Sequence, residues 1–249
     1  MTGVMLVTGG SRGIGAAICT MAGGRGWRVA VNYGRSADRA EAVCAAIRDA
    51  GGEAFAVGAD MADEAAIVAM FAEVDRRFGR LDALINNAGI DGLIAPFLEQ
   101  TGQAMAHLMA VNAIAPMICA REAVARMARS RGGNGGAIVN ISSRAAVHGR
   151  LTDEIPYAAS KGAVDSFTVG LAHAVAGEGI RVNGVRPGLI ATEMFDALGG
   201  QEAIDRMVKG TVPMDRAGRP EEIAAAALWL CSGEASYATG AILDVGGGR

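Results

Sequence analysis

Aromatic residues are scarce, 4% of the chain against 51% hydrophobic, so a core has to be built from Ala, Val, Ile, Leu and Met. Histidine is scarcer still. His107, His148 and His173 show no ligand spacing, which argues against a structural metal. Cys19, Cys44, Cys119 and Cys231 are widely separated, with no C-x-x-C among them. That excludes a zinc ribbon and a disulfide frame, and is the pattern of reduced core thiols in a cytoplasmic protein. Neither charge sign dominates: 23 Lys and Arg are intermixed with 26 Asp and Glu, for a net charge of −3. No basic patch for nucleic acid follows from that balance. The opening "MTGVMLVTGG" has no basic leader, and its apolar run is too short for a signal peptide or a membrane span. No linker or shift in composition divides the chain, so residues 1–249 are expected to form a single domain.

What the chain does have is alternation. Short β-branched runs at Val4–Thr8, Arg28–Tyr33, Ala54–Gly58, Ala83–Asn86, Ala137–Ser142, Arg181–Arg186 and Ile242–Val245 read as strands. Between them, Gly13–Gly24, Ala37–Ala50, Glu64–Phe78, Thr101–Ser130, Tyr157–Ala176 and Glu221–Cys231 read as helices. Near-continuous apolar strands alternating with helices predict an α/β fold, a parallel sheet covered on both faces. The segment at about 192–220 breaks the alternation and is expected to fold as short helices, a lid over the ligand end of the sheet.

The first strand runs directly into "TGGSRGIG" and then into a helix. Gly9, Gly13 and Gly15 let the backbone turn sharply and approach a pyrophosphate, while the helix start aims free N–H groups at the anion. The spacing is T-G-x-x-x-G-x-G. With "NNAG" at Asn86–Gly89, "YAASK" at Tyr157–Lys161 and "VRPG" at Val185–Gly188, in that order, the chain resembles the short-chain dehydrogenase/reductase family over essentially its whole length. The family's fold is a Rossmann-type doubly wound seven-stranded parallel sheet, which agrees with the seven strands counted. The family resemblance includes members acting as 3-oxoacyl reductases and glucose dehydrogenases.

Cofactor choice is read at the second strand, "RVAVNYGRS". An NAD-specific fold places a carboxylate at its end to bind the ribose 2′-OH. Asn32, Tyr33 and Gly34 stand there instead, with Arg35 following and Arg12 in the glycine loop, both able to pair with a 2′-phosphate. NADP(H) is therefore the expected cofactor, with NAD(H) the alternative. The resemblance adds Ser11 and Ile14 in the loop and Asp60 and Met61 on the adenine side. It also adds Asn87, Ala88 and Gly89 along the adenosine, with Asn86 mainly structural, and Pro187, Gly188, Ile190 and Thr192 around the nicotinamide. Asp60 reads equally as a cap for the following helix, although Asp63 is placed for that work.

Tyr157 and Lys161 are spaced i, i+4, one face of a helix. Reducing a carbonyl leaves an oxygen that needs a proton, and a tyrosine with a pKa of about 10 needs a fixed cation to serve near neutrality. Taken alone the pair reads as an interior tyrosine and a snorkelling lysine; the accompanying motifs select the catalytic reading. The resemblance makes Ser143, rather than Ser142, the group that polarises the carbonyl. It has Lys161 also bond the nicotinamide ribose, and it makes Asn112 the residue that kinks its helix and holds a water between Lys161 and solvent.

Substrate identity is less legible. "DGLIAPFL" after the fourth strand is apolar, "HGRLTDEIP" is polar, and Met194, Phe195, Leu198 and Met207 suit an apolar lid. Asp153 and Glu154 are expected at the pocket mouth. A 3-oxoacyl carrier-protein reductase of this family commonly has a basic residue where Glu178 stands, so a small-molecule carbonyl or sugar is expected ahead of an acyl carrier protein. A non-catalytic NADP(H)-binding sensor is the alternative of another class; such proteins usually lose the Ser–Tyr–Lys set. The apolar faces of Thr101–Ser130 and Tyr157–Ala176 suggest helix pairing between subunits, and the family resemblance implies a homotetramer.

Overall fold

The computed structural model describes residues 3–149, 153–193 and 200–249. Seven parallel strands form one sheet: β1 (Val4–Val7), β2 (Arg28–Tyr33), β3 (Glu53–Gly58), β4 (Ala83–Asn86), β5 (Gly136–Ile141), β6 (Ile180–Pro187) and β7 (Ile242–Val245), in the order β3-β2-β1-β4-β5-β6-β7. The chain steps outward from β1 to β3, then returns to the other side of β1 at β4. This reversal opens a crevice at the carboxyl ends of β1 and β4, where such sheets bind their ligands.

Successive strand residues face opposite sides. Val4 and Leu6 enter one core with Leu84, Ile138, Phe71 and Met127, beneath α3 (Glu64–Phe78), α5 (Ala115–Met127) and α7 (Ile155–Val175). Met5 and Val7 enter the other with Val31, Ile85, Ile18 and Leu228, beneath α1 (Gly13–Gly24), α2 (Ala37–Asp49) and α9 (Pro220–Cys231). Three polar side chains cross the sheet's centre in a chain. Asn86 Nδ2 donates to Asn140 Oδ1 at 2.9 Å, and Asn140 Nδ2 donates to Thr168 Oγ1 at 2.8 Å.

The expected single helix Thr101–Ser130 is instead α4 (Gly102–Met109), a π-helical turn at Ala110–Ile114, and α5, closed by a short 3₁₀ turn at Arg129–Arg131. Pro116 explains the break, because it has no N–H to give to the Asn112 carbonyl four residues back. By length and composition Gly102–Met127 is apolar enough to cross a membrane, but half of that window is buried in the protein. One further helix was absent from the sequence reading, α6 (Ala145–His148), shortly after β5, while α8 (Gly200–Val208) is a short helix of the kind expected within 192–220. Met194, Phe195 and Leu198 lie outside the described residues, and Met207 packs partly buried on the satellite cluster of Leu189, Ile204, Val208 and Val212.

Candidate active site

The glycine turn after β1 is pinned from both neighbouring strands. Gly9 N–H donates to Asn32 Oδ1 at 3.1 Å, while Asn32 Nδ2 donates to the carbonyls of Val57 and Ala59. From the β4 side, Asn87 Nδ2 donates to the carbonyls of Thr8 at 2.9 Å and Gly9 at 3.0 Å. Gly9 takes φ +64° and Gly13 φ +52°, and a Cβ on Gly15 would stand 2.2 Å from the Gly9 carbonyl oxygen. The chain therefore folds so tightly here that side chains are excluded. Arg12 occupies the N-cap of α1 without a side-chain cap bond, and no acidic residue lies in the first turn. The free N–H groups and positive dipole end of α1 thus face a cradle that fits a dinucleotide pyrophosphate. Thr192 closes its far side, its methyl carbon 3.4 Å from where a Gly13 Cβ would be.

The other sequence-predicted cofactor positions divide. Ser11 and Ile14 are half-buried in the turn and Arg12 and Arg35 are exposed beside it. Tyr33 is half-buried, its ring against Gly58. Asp60 is exposed and accepts the Ala62 N–H at 2.9 Å, leaving the α3 cap to Asp63, which accepts the Ala65 N–H at 2.8 Å. Met61 has its side chain buried in the core under α3. Pro187 and Ile190 are buried, and Ile190 bridges to Gly218. Gly188 is pressed against the backbone of Gly246, too close for a Cβ. Arg39 in the first turn of α2 carries no signal in the sequence; its guanidinium pairs with the Glu193 carboxylate.

Beyond the crevice, β5 and α7 set out the remaining groups. Lys161 is buried and its Nζ donates to the carbonyl of Ile141, the last residue of β5, at 3.0 Å. A Cβ on Gly89 would lie 3.5 Å from that Nζ, so the end of β4 reaches the same point. Tyr157, one turn earlier on α7, packs with Ala145, Leu108 and Ala158, and the Lys161 Nζ lies 5.7 Å from its ring centroid. Ser143 stands two residues after β5, half-buried, where its Oγ accepts the Ala145 N–H at 3.1 Å. Ser142 is buried and spends its hydroxyl on the Lys161 carbonyl at 3.3 Å, which leaves Ser143 as the serine on the cleft side. Asn112, fully buried in the π turn, grips Ile90 by both backbone groups and donates to Ser160 Oγ at 3.2 Å.

Electrostatics act mainly on Lys161. Burial pushes its pKa down to about 8, opposed by the carboxylates of Asp165 and Asp91. Asp165, one turn further along α7, is held by Arg186 Nε at 2.8 Å. Arg186 also reaches Asp244, and Asp244 pairs with Arg144, the neighbour of Ser143. A chain of alternating charges therefore ties the lysine end of the site to the serine end. By contrast burial pushes the Cys44 thiol up to about 11 and those of Cys119 and Cys231 up to about 12, so these are inert packing groups.

Two loops wall the cleft, and Gln100 ties them together. Its Nε2 donates to the carbonyls of Leu93 and Ala95, both at 2.9 Å, and to that of Asp153 at 3.4 Å. The Ala95 N–H also reaches the Asp153 carbonyl at 3.2 Å. Asp153 is exposed, whereas Glu154 is buried at 6% exposure at the start of α7, not open at the mouth.

A seven-stranded sheet of this order, with a glycine cradle on β1 and Ser, Tyr and Lys gathered between β5 and α7, defines a nicotinamide-type oxidoreductase fold. The chain belongs to the short-chain dehydrogenase/reductase family: residues 9–249 match the family described as enoyl-(acyl carrier protein) reductase. It is 46% identical over 246 residues to the oxidoreductase YgfF of Escherichia coli, covering 99% of both chains. It is 38% identical over 250 residues to the 3-oxoacyl-[acyl-carrier-protein] reductase FabG of Staphylococcus aureus, covering 100% of this chain and 98% of the relative. Among solved structures, 7α-hydroxysteroid dehydrogenase complexed with NADH and 7-oxo glycochenodeoxycholic acid superposes with a TM-score of 0.91 at 31% identity, covering 99% of this chain and 93% of the other.

Proposed function

We propose that this oxidoreductase uses NADP(H) to interconvert a small-molecule carbonyl and its alcohol. With its pyrophosphate held by the glycine cradle and its nicotinamide end near Pro187, Gly188, Ile190 and Thr192, the cofactor would supply or accept the hydride. In the reducing direction the Ser143 hydroxyl donates a hydrogen bond to the carbonyl oxygen, favouring the charge that develops there. Tyr157 gives its phenolic proton to that oxygen and recovers one from solvent. The Lys161 ammonium lowers the cost of the transient phenolate. Asn112 positions Ile90 and Ser160 around this group. The observation that carries the reading is the buried Lys161, anchored on the Ile141 carbonyl one turn from Tyr157: burying an ammonium costs stability, and groups held at such a cost cluster at functional sites.

Arg12 and Arg35, with no carboxylate at the end of β2, support NADP(H) over NAD(H). The buried reduced cysteines suit a cytoplasmic setting. Exposed Ile114, Val169 and Trp229 suit a homotetramer. Tyr157→Phe is expected to abolish turnover in a screen of ketones, aldehydes, sugars and 3-oxoacyl thioesters followed by NADPH absorbance, while NADPH binding stays within about twofold. Retained turnover in that variant refutes the general-acid role. NADPH binding by the wild type without turnover of any substrate favours a sensor.

A carrier-bound acyl thioester is the second reading, and one observation favours it. Glu178, the residue that argues against an acidic carrier, already accepts the Ser130 N–H at 2.8 Å, which holds its pKa below the usual range. The Arg129 guanidinium lies against neighbouring Gly179. Glu178 therefore stays ionised, and it is the Arg129 cation beside Gly179 that offsets its charge on this patch.

A further inference from the structure

We infer that Arg39 is a cofactor-specificity residue whose guanidinium is exchanged between Glu193 and the 2′-phosphate of NADP(H), so that Glu193 acts as an internal competitor of that phosphate. The inference rests on the NADP(H) reading above.

The ion pair joins two regions remote in sequence. Arg39 lies in the first turn of α2, four residues after Arg35, just beyond the end of β2 where this kind of fold places the adenosine 2′ position. Glu193 directly follows Thr192, the residue that abuts the glycine cradle. An open groove of about 680 Å³ runs along this side of α1, lined by Gly13, Ala16, Ala17, Thr192 and Glu193 among others. Its lining continues through Thr20, Met21, Pro220 and Glu221 and includes neither Arg35 nor Arg39, so it lies on the Glu193 side of the pair. The pair therefore straps α2 to the root of the segment expected to cover the substrate.

Magnitudes decide which partner Arg39 keeps. Its side chain is 55% exposed and that of Glu193 is 48% exposed. A solvated pair of this kind shifts an equilibrium by no more than about fivefold. A phosphate monoester carries a charge of nearly −2 and three acceptor oxygens, and meets a guanidinium in two parallel bonds. The N-terminus of α2 adds its own partial positive charge. The phosphate displaces the carboxylate, whereas NADH, which has a hydroxyl in that place, leaves the strap closed. Asp38 is the one carboxylate in the first turn of α2, and as the adjacent helix residue it projects about 100° away from Arg39. By linkage, whatever opens the strap favours NADP(H), and NADP(H) frees Glu193.

The test measures dissociation constants of NADPH, NADH and 2′,5′-ADP on the full chain by nicotinamide fluorescence and calorimetry. Glu193→Gln removes the competitor and is expected to tighten NADPH and 2′,5′-ADP by about threefold, with NADH unchanged. Arg39→Met is expected to weaken NADPH and 2′,5′-ADP by about tenfold, again sparing NADH, and adding Glu193→Gln to it should have no further effect. An unchanged NADPH constant in Glu193→Gln overturns the competition, and so does an equal shift for NADH. A wild type that binds NADPH no better than NADH defeats the NADP(H) reading itself. A wild type that prefers NADPH, with both variants silent, defeats only the inference.

Discussion

Lys161 shows how one side chain sets the working range of the site. Its pKa is depressed to about 8 by burial, which corresponds to about 3 kcal/mol against the charged form even with Asp165 and Asp91 in support. A depressed lysine pKa means that the ammonium is present below that value and is lost as pH rises through it, well before a solvated lysine at about 10.4. The kcat/KM for NADPH reports the free enzyme, and it is expected to fall as pH rises through about 8. Asp165→Asn removes a charge that favours the ammonium, so it should move that fall to lower pH; a pH–rate profile of both proteins checks the sign. The i, i+4 spacing put Tyr157 and Lys161 on one helix face, while Ser143 and the catalytic reading of all three rested on the family resemblance. Arg39, Asn32 and Gln100 were not legible in the sequence, because each gains its meaning from a partner brought close only by the fold, such as Glu193, Gly9 or Asp153.

At the scale of elements, two devices shape the site: the β1–α1 turn and the π turn before α5. The first was readable from its glycines. Gly15→Ala places a methyl group 2.2 Å from the Gly9 carbonyl oxygen, a contact with backbone that cannot rotate away. A cost of about 1–3 kcal/mol is expected, a fall in Tm of about 3–10 °C for a chain of this size, together with loss of cofactor binding. Differential scanning fluorimetry with and without NADPH separates the two effects. The second device was half legible. The helix was extended through Ser130 because its apolar period continues, while the break follows from Pro116 and is fixed by Asn112 gripping the β4 loop. Strand limits elsewhere moved by about one residue, as expected where end positions depend on neighbouring strands.

At the scale of the molecule, the seven strands and their parallel order follow from apolar runs that need cover on both faces. One exception to that apolar pattern is the chain Asn86–Asn140–Thr168, which joins β4, β5 and α7 through the sheet's interior. Asn140→Leu leaves Asn86 and Thr168 each short of a partner, and is expected to destabilise the protein by about 2–4 kcal/mol in urea unfolding. A loss below about 0.5 kcal/mol would show that the chain is not a stabilising device. The Gln100 knot has a different kind of consequence. Because one amide serves carbonyls from both walls of the cleft, the two walls are a single heritable unit. Grafting one loop from a relative with another substrate strands its donors or acceptors, so transplants that bring both segments together with residue 100 are the ones expected to yield folded, retargeted enzymes.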